Sequence, residues 1–179
     1  METIQLSLDG GIARIRFNRP EKANALDARM WQELREAMQW LDETREARVG
    51  ILSAAGAHFS AGLDLDMLAD FKAKAEDPCG GRMRETTRRD ILELQDVVTS
   101  IERCRKPVIA AVHAACVGGG VDIITACDLR YCSDEAWFSV TVADGLNYVA
   151  TWNAGMLYCD DLDEALRARR ERRPAVFRD

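Results

Sequence analysis

The sequence has little of what marks several large protein classes. Its 179 residues include four prolines and two histidines, no CxxC pair among six cysteines, and no apolar run near the ~20 residues of a membrane-spanning helix. Apolar types make up 47% and charged types 30%, which excludes a collagen-like, low-complexity or generally disordered chain. The net charge of −6 argues against a general surface for nucleic acid or anionic membranes. We therefore expect a globular chain without nucleic-acid or membrane partners.

The cysteines and histidines favour neither a disulfide framework nor a metal site. The first residues, METIQLSLDG, lack a signal-peptide pattern, so we expect buried free thiols in a reducing compartment. His58 and His113 have no metal-type spacing to a cysteine, so no metal is expected. The last residues, Val176 to Asp179, do not form a peroxisomal SKL-type signal, and the cytoplasm is the expected location.

Apolar residues at alternating and helical spacings predict an α/β chain. Ile4–Leu8 and Ala13–Phe17 alternate on either side of a glycine turn and predict a hairpin. Asp27 is predicted to cap a helix with one apolar face. The other predicted strands are Val49–Ala54, Val108–Val117, Leu129–Cys132 and Trp137–Val140. The other predicted helices start near Asp64, cover Ile91–Ile101 and cover Leu162–Arg172, with an exposed loop at Asp77–Gly81.

Two glycine turns that follow predicted strands are the candidates for chemistry. The first is Phe59–Leu65, and the second begins at Gly118-Gly119-Gly120 and runs to Asp122. Small residues leave backbone N–H groups uncovered, and helix starts add positive potential. Two such turns facing each other would hold one negatively charged oxygen, as an oxyanion hole does. Such turns are also ordinary in α/β proteins, where glycine relieves a positive φ, so both interpretations stay open here.

Three blocks of sequence resemble the enoyl-CoA hydratase/isomerase (crotonase) family in their order and spacing. They are Asn18–Leu26, Phe59–Leu65, and the segment from Lys106 through the glycine run to Asp128. The resemblance implies a single-domain α/β fold, the crotonase-like β-β-α spiral, and acyl-CoA thioester substrates. It implies no metal and no separate cofactor, since coenzyme A is part of the substrate. The family's usual assembly implies a homo-oligomer, either a trimer or a hexamer.

The resemblance also implies roles for individual residues. Two backbone amides, those of Ala61 and Gly119, would stabilise a thioester enolate. Other backbone positions would line the path of the substrate: Ala23, Ala25, Gly62, Leu63, Asp64, Leu65 and Gly118. The segment after the glycine run is most similar to dienoyl-CoA isomerases, which shift two double bonds by proton transfer and carry a catalytic acid where Asp122 stands. A first-turn acid favoured by the helix dipole is the plainer interpretation of Asp122.

The chain departs from the family pattern after Val140. Residues 141–153 resemble the family's far C-terminal region, whereas the family would continue there with a segment that bears a Glu and an Asp. We interpret 1–140 as a crotonase-like core and 141–179 as a C-terminal segment resembling the family's last helical region. An internal block would then be missing near Val140–Thr141, leaving the fold incomplete on its C-terminal side with apolar surface exposed. Asp134 and Asp144 do not match the family motif and receive no role.

Three functions are therefore compared. The first is an acyl-CoA isomerase acting on a dienoyl-CoA, or an enoyl-CoA hydratase. The second is a non-catalytic acyl-CoA binder or an inactive remnant, which the two missing carboxylates favour. The third is a serine hydrolase using Ser60 and His113, although the sequence lacks GxSxG and His113 is expected in the core. Turnover of a dienoyl-CoA that depends on Asp122 would distinguish the first function from the second.

Overall fold

The computed structural model describes residues 1–74, 79–140, 164, 167–174 and 176. The chain divides into two compact units, Met1–Leu68 with Glu93–Val142, and Ala69–Leu92 with Ala143–Asp179. Both predicted glycine turns belong to the first unit. The predicted boundary after residue 140 and the proposed junction at Val140–Thr141 stay predictions, because residues 141–163 lie outside the described part.

The described elements are seven strands and four α-helices. The strands are β1 (Ile4–Asp9), β2 (Ile12–Phe17), β3 (Val49–Ala54), β4 (Val108–Val112), β5 (Ala115–Val117), β6 (Leu129–Cys132) and β7 (Trp137–Ser139). The helices are α1 (Ala28–Glu43), α2 (Leu65–Lys74), α3 (Gly80–Glu102) and α4 (Gly119–Thr125), with a short 3-10 turn at Pro20–Lys22.

A five-stranded sheet in the order β1-β2-β3-β4-β6 forms the centre of the first unit. β1 and β2 make the predicted antiparallel hairpin, and its turn uses Gly10 and Gly11 at positive φ. The remaining neighbours pair in parallel, which requires a crossover between strands. Because β3 and β4 are parallel neighbours, the segments that follow them leave the sheet at the same edge. This topology brings the two glycine turns together.

The predicted strand Val108–Val117 is in fact two strands in different sheets. β4 ends at Val112, and β5 pairs with β7 in a separate two-stranded sheet. The chain turns at Ala114, whose φ is 48°. His113 is consequently half-buried, and its Nε2 lies 3.0 Å from the Gly56 carbonyl oxygen, so the expectation that it is a core residue is wrong.

Helix α3 starts earlier than the apolar spacing predicts. It begins at Gly80, so residues 80–89 are helical although the sequence there is polar. Pairs four residues apart, such as Arg89 and Glu85 at 3.3 Å, support such a polar helical surface. Residues 77 and 78 of the predicted loop lie outside the described residues. Of the predicted C-terminal helix, residues 164 and 167–170 are helical and residues 162, 163, 165 and 166 are not described.

Helix α1 packs its apolar face against β1 and β2. The predicted stripe is buried as expected, with Trp31, Leu34, Met38 and Leu41 all less than a tenth exposed. The predicted cap is also confirmed, because the Asp27 carboxylate accepts a hydrogen bond from the Met30 N–H at 2.8 Å.

Apolar side chains are exposed around the last two described strands. Five large residues there are 46–64% exposed: Leu129, Tyr131, Trp137, Phe138 and Val140. The expected exposure of apolar surface at this end of the core is therefore confirmed.

The described cysteines form no disulfide with one another. Cys116 and Cys127 are buried, whereas Cys79 and Cys132 are exposed, so the expected burial holds for only some of them. No helix within the described part is long and apolar enough to cross a membrane. That part also holds no group of three or more potential metal ligands.

Glu33 on α1 ties the start of the chain to the core. The residue is 5% exposed, and its side chain accepts hydrogen bonds of 2.8–3.0 Å from the N–H groups of Glu2, Thr3 and Ile4 and from the Thr3 hydroxyl. Burial alone would raise the pKa of this carboxyl, but the hydrogen bonds outweigh it and the pKa is lowered. The ionised form of Glu33 therefore stabilises the fold.

Replacing Glu33 by Gln should lower the free energy of unfolding by about 1.5–3 kcal/mol at pH 7, because charge-assisted hydrogen bonds are lost. A lowered folded-state pKa stabilises the protein above the ordinary value of 4.5, and this stabilisation is lost as the pH falls through the folded value. Urea unfolding from pH 7 to pH 3 should show the two proteins converging at acid pH. A difference in the free energy of unfolding that stays constant with pH would contradict the stabilising role of the Glu33 charge.

Candidate active site

The first glycine turn runs between two other backbone segments and bonds to both. On one side the Ser60 N–H donates to the Ala115 carbonyl at 3.1 Å, and the Ser60 carbonyl accepts from the Val117 N–H at 3.0 Å. On the other side the Leu26 N–H donates to the Gly62 carbonyl at 2.8 Å, and its carbonyl accepts from the Asp64 N–H at 3.0 Å. Residues 60–64 thus form the middle of a short three-segment arrangement, with 23–26 and 115–118 outside.

The direction of each N–H in this middle segment follows from that pairing. In a parallel bridge, one residue uses both its N–H and its carbonyl, while the residue opposite faces the other way. Leu26 makes both bonds in its bridge with Leu63, so the Leu63 N–H faces away from Leu26, towards the side of residues 115–118. The Leu63 N–H has no acceptor among the described residues.

The Ala61 N–H faces the opposite side. It donates to the Ala23 carbonyl at 2.9 Å, so it already has an acceptor. The expectation that Ala61 supplies a free donor for a ligand conflicts with this hydrogen bond. The Leu63 N–H, two residues along, faces the other side because Gly62, with a φ of 86°, interrupts the regular alternation of an extended chain.

The two glycine turns touch each other directly. A Cβ on Gly62 would lie 2.9 Å from the Val117 carbonyl oxygen and 3.7 Å from the Gly118 Cα, and both glycines have positive φ, of 86° and 50°. Leu63 and Gly119 are the next residues after these two contacting glycines. The Gly119 N–H, in the first turn of α4, also lacks an acceptor among the described residues. The structure therefore brings the two turns together, as the sequence predicts.

The loop from Arg19 to Leu26 packs beside the first turn and supports it. Ala23 and Asn24 both have positive φ, of 50° and 52°, which is uncommon for residues other than glycine. The Asn24 side chain holds this conformation, since it accepts from the Arg19 N–H and donates to the carbonyls of Ala55 and His58 at 2.7–2.9 Å. Such local strain persists only where the surroundings fix it, and it is common at functional sites.

A buried ion pair joins the loop to the end of the first turn. The Arg19 guanidinium lies 2.6 Å from the Asp64 carboxylate and 3.3 Å from that of Asp27, and it donates to the Ala25 carbonyl. Burial would raise the pKa of Asp64, but hydrogen bonds from Arg19 and from the Asp66 N–H lower it. Asp64 and Ala25 are thus fixed to each other through Arg19, and Asp64 is ionised in the fold.

Ser60 has a structural role. Its fully buried hydroxyl donates to the Asn24 carbonyl at 2.9 Å and accepts from the Gly62 N–H at 3.1 Å. The His113 ring contacts the Gly56 carbonyl instead of Ser60. The Ser60–His113 pair of a serine hydrolase is therefore not formed, and that hypothesis is wrong.

Asp122 lies in the first turn of α4, three residues after Gly119. Its side chain keeps contact with solvent, yet the protein around it removes enough water to raise the pKa of the carboxyl. No charge among the described residues contributes to that shift. The buried Cys116 thiol lies near Asp122, and burial, with a smaller effect of the Asp122 charge, raises the pKa of Cys116 to about 12. A carboxyl with a raised pKa suits acid–base chemistry near neutral pH.

Most of the predicted substrate-lining positions lie within this arrangement. Gly62, Leu63, Asp64 and Gly118 belong to the contacting turns, and Ala23 and Ala25 belong to the supporting loop; Leu65 begins α2. The sequence predicts Leu63 only as a substrate-lining position, whereas the structure leaves its N–H without an acceptor among the described residues. Positions 61 and 63 differ in the backbone segment that each N–H faces, and the sequence alone does not show which segment that is.

Comparisons with known proteins show which family the chain resembles. A family model described as Enoyl-CoA hydratase/isomerase matches residues 7–144. The chain is 44% identical over 145 residues to "Delta(3,5)-Delta(2,4)-dienoyl-CoA isomerase, peroxisomal" of Arabidopsis thaliana, covering 80% of this chain and 52% of that protein. It is 41% identical over 145 residues to the mitochondrial protein of that name from Rattus norvegicus, covering 80% and 44%. The chain therefore spans about half the length of these relatives.

A solved structure shows the same likeness. It is a probable enoyl-CoA hydratase from Mycobacterium smegmatis, similar with a TM-score of 0.66 and 36% identity over 78% of this chain and 52% of that one. The names of the relatives place them in peroxisomes and mitochondria, so the cytoplasmic location expected for this chain stays a prediction.

Replacing Gly62 by Ala should cost more stability than replacing Gly10 by Ala. Both residues have positive φ, so both variants should lose about 1–2 kcal/mol from backbone strain. A Cβ at Gly10 meets nothing within 4 Å, whereas one at Gly62 meets the Val117 carbonyl oxygen at 2.9 Å. Urea unfolding of the two variants measures the difference. Equal losses in the free energy of unfolding would mean that the two turns are not closely packed at Gly62.

Proposed function

The chain belongs to the enoyl-CoA hydratase/isomerase family, and we propose that it binds acyl-CoA thioesters where its two glycine turns meet. Membership confirms the family resemblance and the crotonase-like α/β fold that the sequence predicts. The observation that carries the proposal is the pair of N–H groups, on Leu63 and Gly119, that follow the contacting glycines and have no acceptor among the described residues.

These two N–H groups are proposed to bind the thioester oxygen. A thioester carbonyl acidifies the C–H bonds next to it, and loss of a proton leaves an enolate with negative charge on that oxygen. Two donors fixed in advance stabilise this charge without reorganising, and losing one donor of such a site costs ~3–4 kcal/mol of transition-state stabilisation. Proton transfer alone requires no redox cofactor.

The finer proposal is isomerisation of a dienoyl-CoA. Converting a 3,5-diene into a 2,4-diene removes a proton from C2 and adds one at C6, while the electron pair moves through the conjugated enolate. Asp122 is proposed to exchange one of these protons with the substrate, since its raised pKa reduces the cost of protonation near neutral pH.

A second candidate function is binding without turnover. Two proton transfers at distant carbons are best served by two groups, and burial alone raises the pKa of Asp122, without a second carboxylate among the described residues. The chain also spans about half the length of the relatives named as isomerases. Binding of the thioester oxygen by the two N–H groups is common to both candidates. The homo-oligomeric assembly stays a prediction.

The protein should bind an acyl-CoA more tightly than CoA, because only the former carries the carbonyl oxygen. It should also lower the pKa of a bound 3-oxoacyl-CoA, whose enolate absorbs in the ultraviolet where the neutral ligand does not. Calorimetry and difference absorbance measure the two effects. Gly62→Ala should weaken both, and Gly10→Ala, which lies in the distant hairpin, should change neither. Equal affinity of the wild-type chain for acyl-CoA and CoA would contradict the proposed site.

Replacing Asp122 by Asn should abolish or sharply reduce turnover of 3,5-dienoyl-CoA while leaving the binding of acyl-CoA within about threefold. The same change should stabilise the protein at pH 7. A raised folded-state pKa means that the Asp122 carboxylate is destabilising above both pKa values, and this penalty disappears as the pH falls and the group is protonated.

A dienoyl-CoA absorbance assay and urea unfolding at pH 7 and pH 3 test this prediction. Wild-type turnover that survives the substitution would show that Asp122 does not carry the proton. Tight acyl-CoA binding with no wild-type turnover would favour the second candidate function.

A further inference from the structure

Leu26 contacts the segments that carry both proposed donors. Its backbone bonds to the residues on either side of Leu63: the Leu26 N–H donates to the Gly62 carbonyl at 2.8 Å, and the Leu26 carbonyl accepts from the Asp64 N–H at 3.0 Å. Its side chain reaches the second turn, where its Cδ1 lies 3.0 Å from the position that a Cβ on Gly119 would occupy. Leu26 is fully buried, so both contacts are held by the core.

Trp31 also packs against Gly119. Its Cζ2 lies 3.3 Å from the same Cβ position, and the side chain is 6% exposed. The ring supplies packing only, because its buried Nε1–H has no hydrogen-bond partner among the described residues. Trp31 therefore packs against Gly119, while Leu26 contacts both Gly119 and the segment that carries Leu63.

We propose that Leu26 is a positioning residue that sets the separation of the Leu63 and Gly119 N–H groups. The inference rests on the proposed function, since the separation matters only if one ligand oxygen is bound by both groups. The two donors lie on different segments of the chain, and a hydrogen bond weakens steeply outside a narrow range of distance and angle. A side chain that is backbone-paired to one segment and packed against the other keeps both donors within that range.

The packing part of this inference is tested by a double-mutant cycle that needs no ligand. Gly119→Ala places a methyl group against Leu26, and Leu26→Val removes the atoms that it meets. The double variant should unfold at a higher urea concentration than the sum of the two single effects predicts. Leu34→Val, equally buried on α1, should show no such coupling with Gly119→Ala. Additive effects in both pairs would overturn the proposed contact.

The functional part is tested with Leu26→Val and the same control, Leu34→Val. Both remove one methylene from the core, so their losses of stability should be similar. Only Leu26→Val should reduce the preference for acyl-CoA over CoA, by about threefold to tenfold, because one hydrogen bond is weakened. Only Leu26→Val should reduce the lowering of the pKa of bound 3-oxoacyl-CoA, whose α-proton passes to solvent. A merely structural role would not change that pKa.

The outcomes separate this inference from the function on which it rests. A wild-type chain that prefers acyl-CoA, with Leu26→Val and Leu34→Val indistinguishable in preference and in ligand pKa, would overturn the role of Leu26 and leave the proposed function standing. A wild-type chain without that preference would overturn the proposed function and the inference with it. Selective loss in Leu26→Val supports both.

Discussion

The site depends on a short extended segment, residues 60–63, that bonds to a different neighbour on each of its sides. Ser60 bonds to residues 115 and 117, while Ala61 and Gly62 bond towards residues 23 and 26. Gly62, with a φ of 86°, interrupts the alternation of N–H directions along this segment, and the two hydrogen bonds of Leu26 on either side of Leu63 then determine where the Leu63 N–H points. The Leu63 N–H is left facing the second glycine turn. The candidate oxyanion site is therefore a product of backbone pairing, and side chains act mainly by keeping that pairing in place.

The supporting residues share one physical task, which is to allow backbone segments to approach closely. A Cβ on Gly62 or on Gly120 would come within 2.9 Å of the neighbouring turn, so glycine is required at both positions. The loop beneath them carries two residues with positive φ, and Asn24 and the Arg19–Asp64 pair hold that loop in place. Strain of this kind is tolerated because buried hydrogen bonds over-determine the conformation.

Local patterns in the sequence identified much of this arrangement. The glycine turn at 10–11, the Asp27 cap and the buried stripe of α1 are set by neighbouring residues, so they could be predicted. The break at Ala114 could not, because residues 108–117 are uniformly apolar and give no sign of two strands. The helical residues 80–89 were missed for the opposite reason, since a polar helix surface has no apolar spacing to detect. The sequence predicts a free donor at Ala61, but the Ala61 N–H is bonded to the Ala23 carbonyl, and the N–H without an acceptor among the described residues is that of Leu63.

The sequence by itself determined the family, the α/β class, and the two glycine turns with Asp122 beside them, because these are properties of residue type and spacing. Only the tertiary structure decided which N–H groups lack an acceptor, since that depends on segments 35 and more residues apart in the chain, such as Ala23 with Ala61 and Ser60 with Cys116. It also decided that Leu26 lies against both turns. The residue type specifies which groups can donate hydrogen bonds and how much space the side chain fills. The partner of each group is determined only when distant segments of the chain pack together.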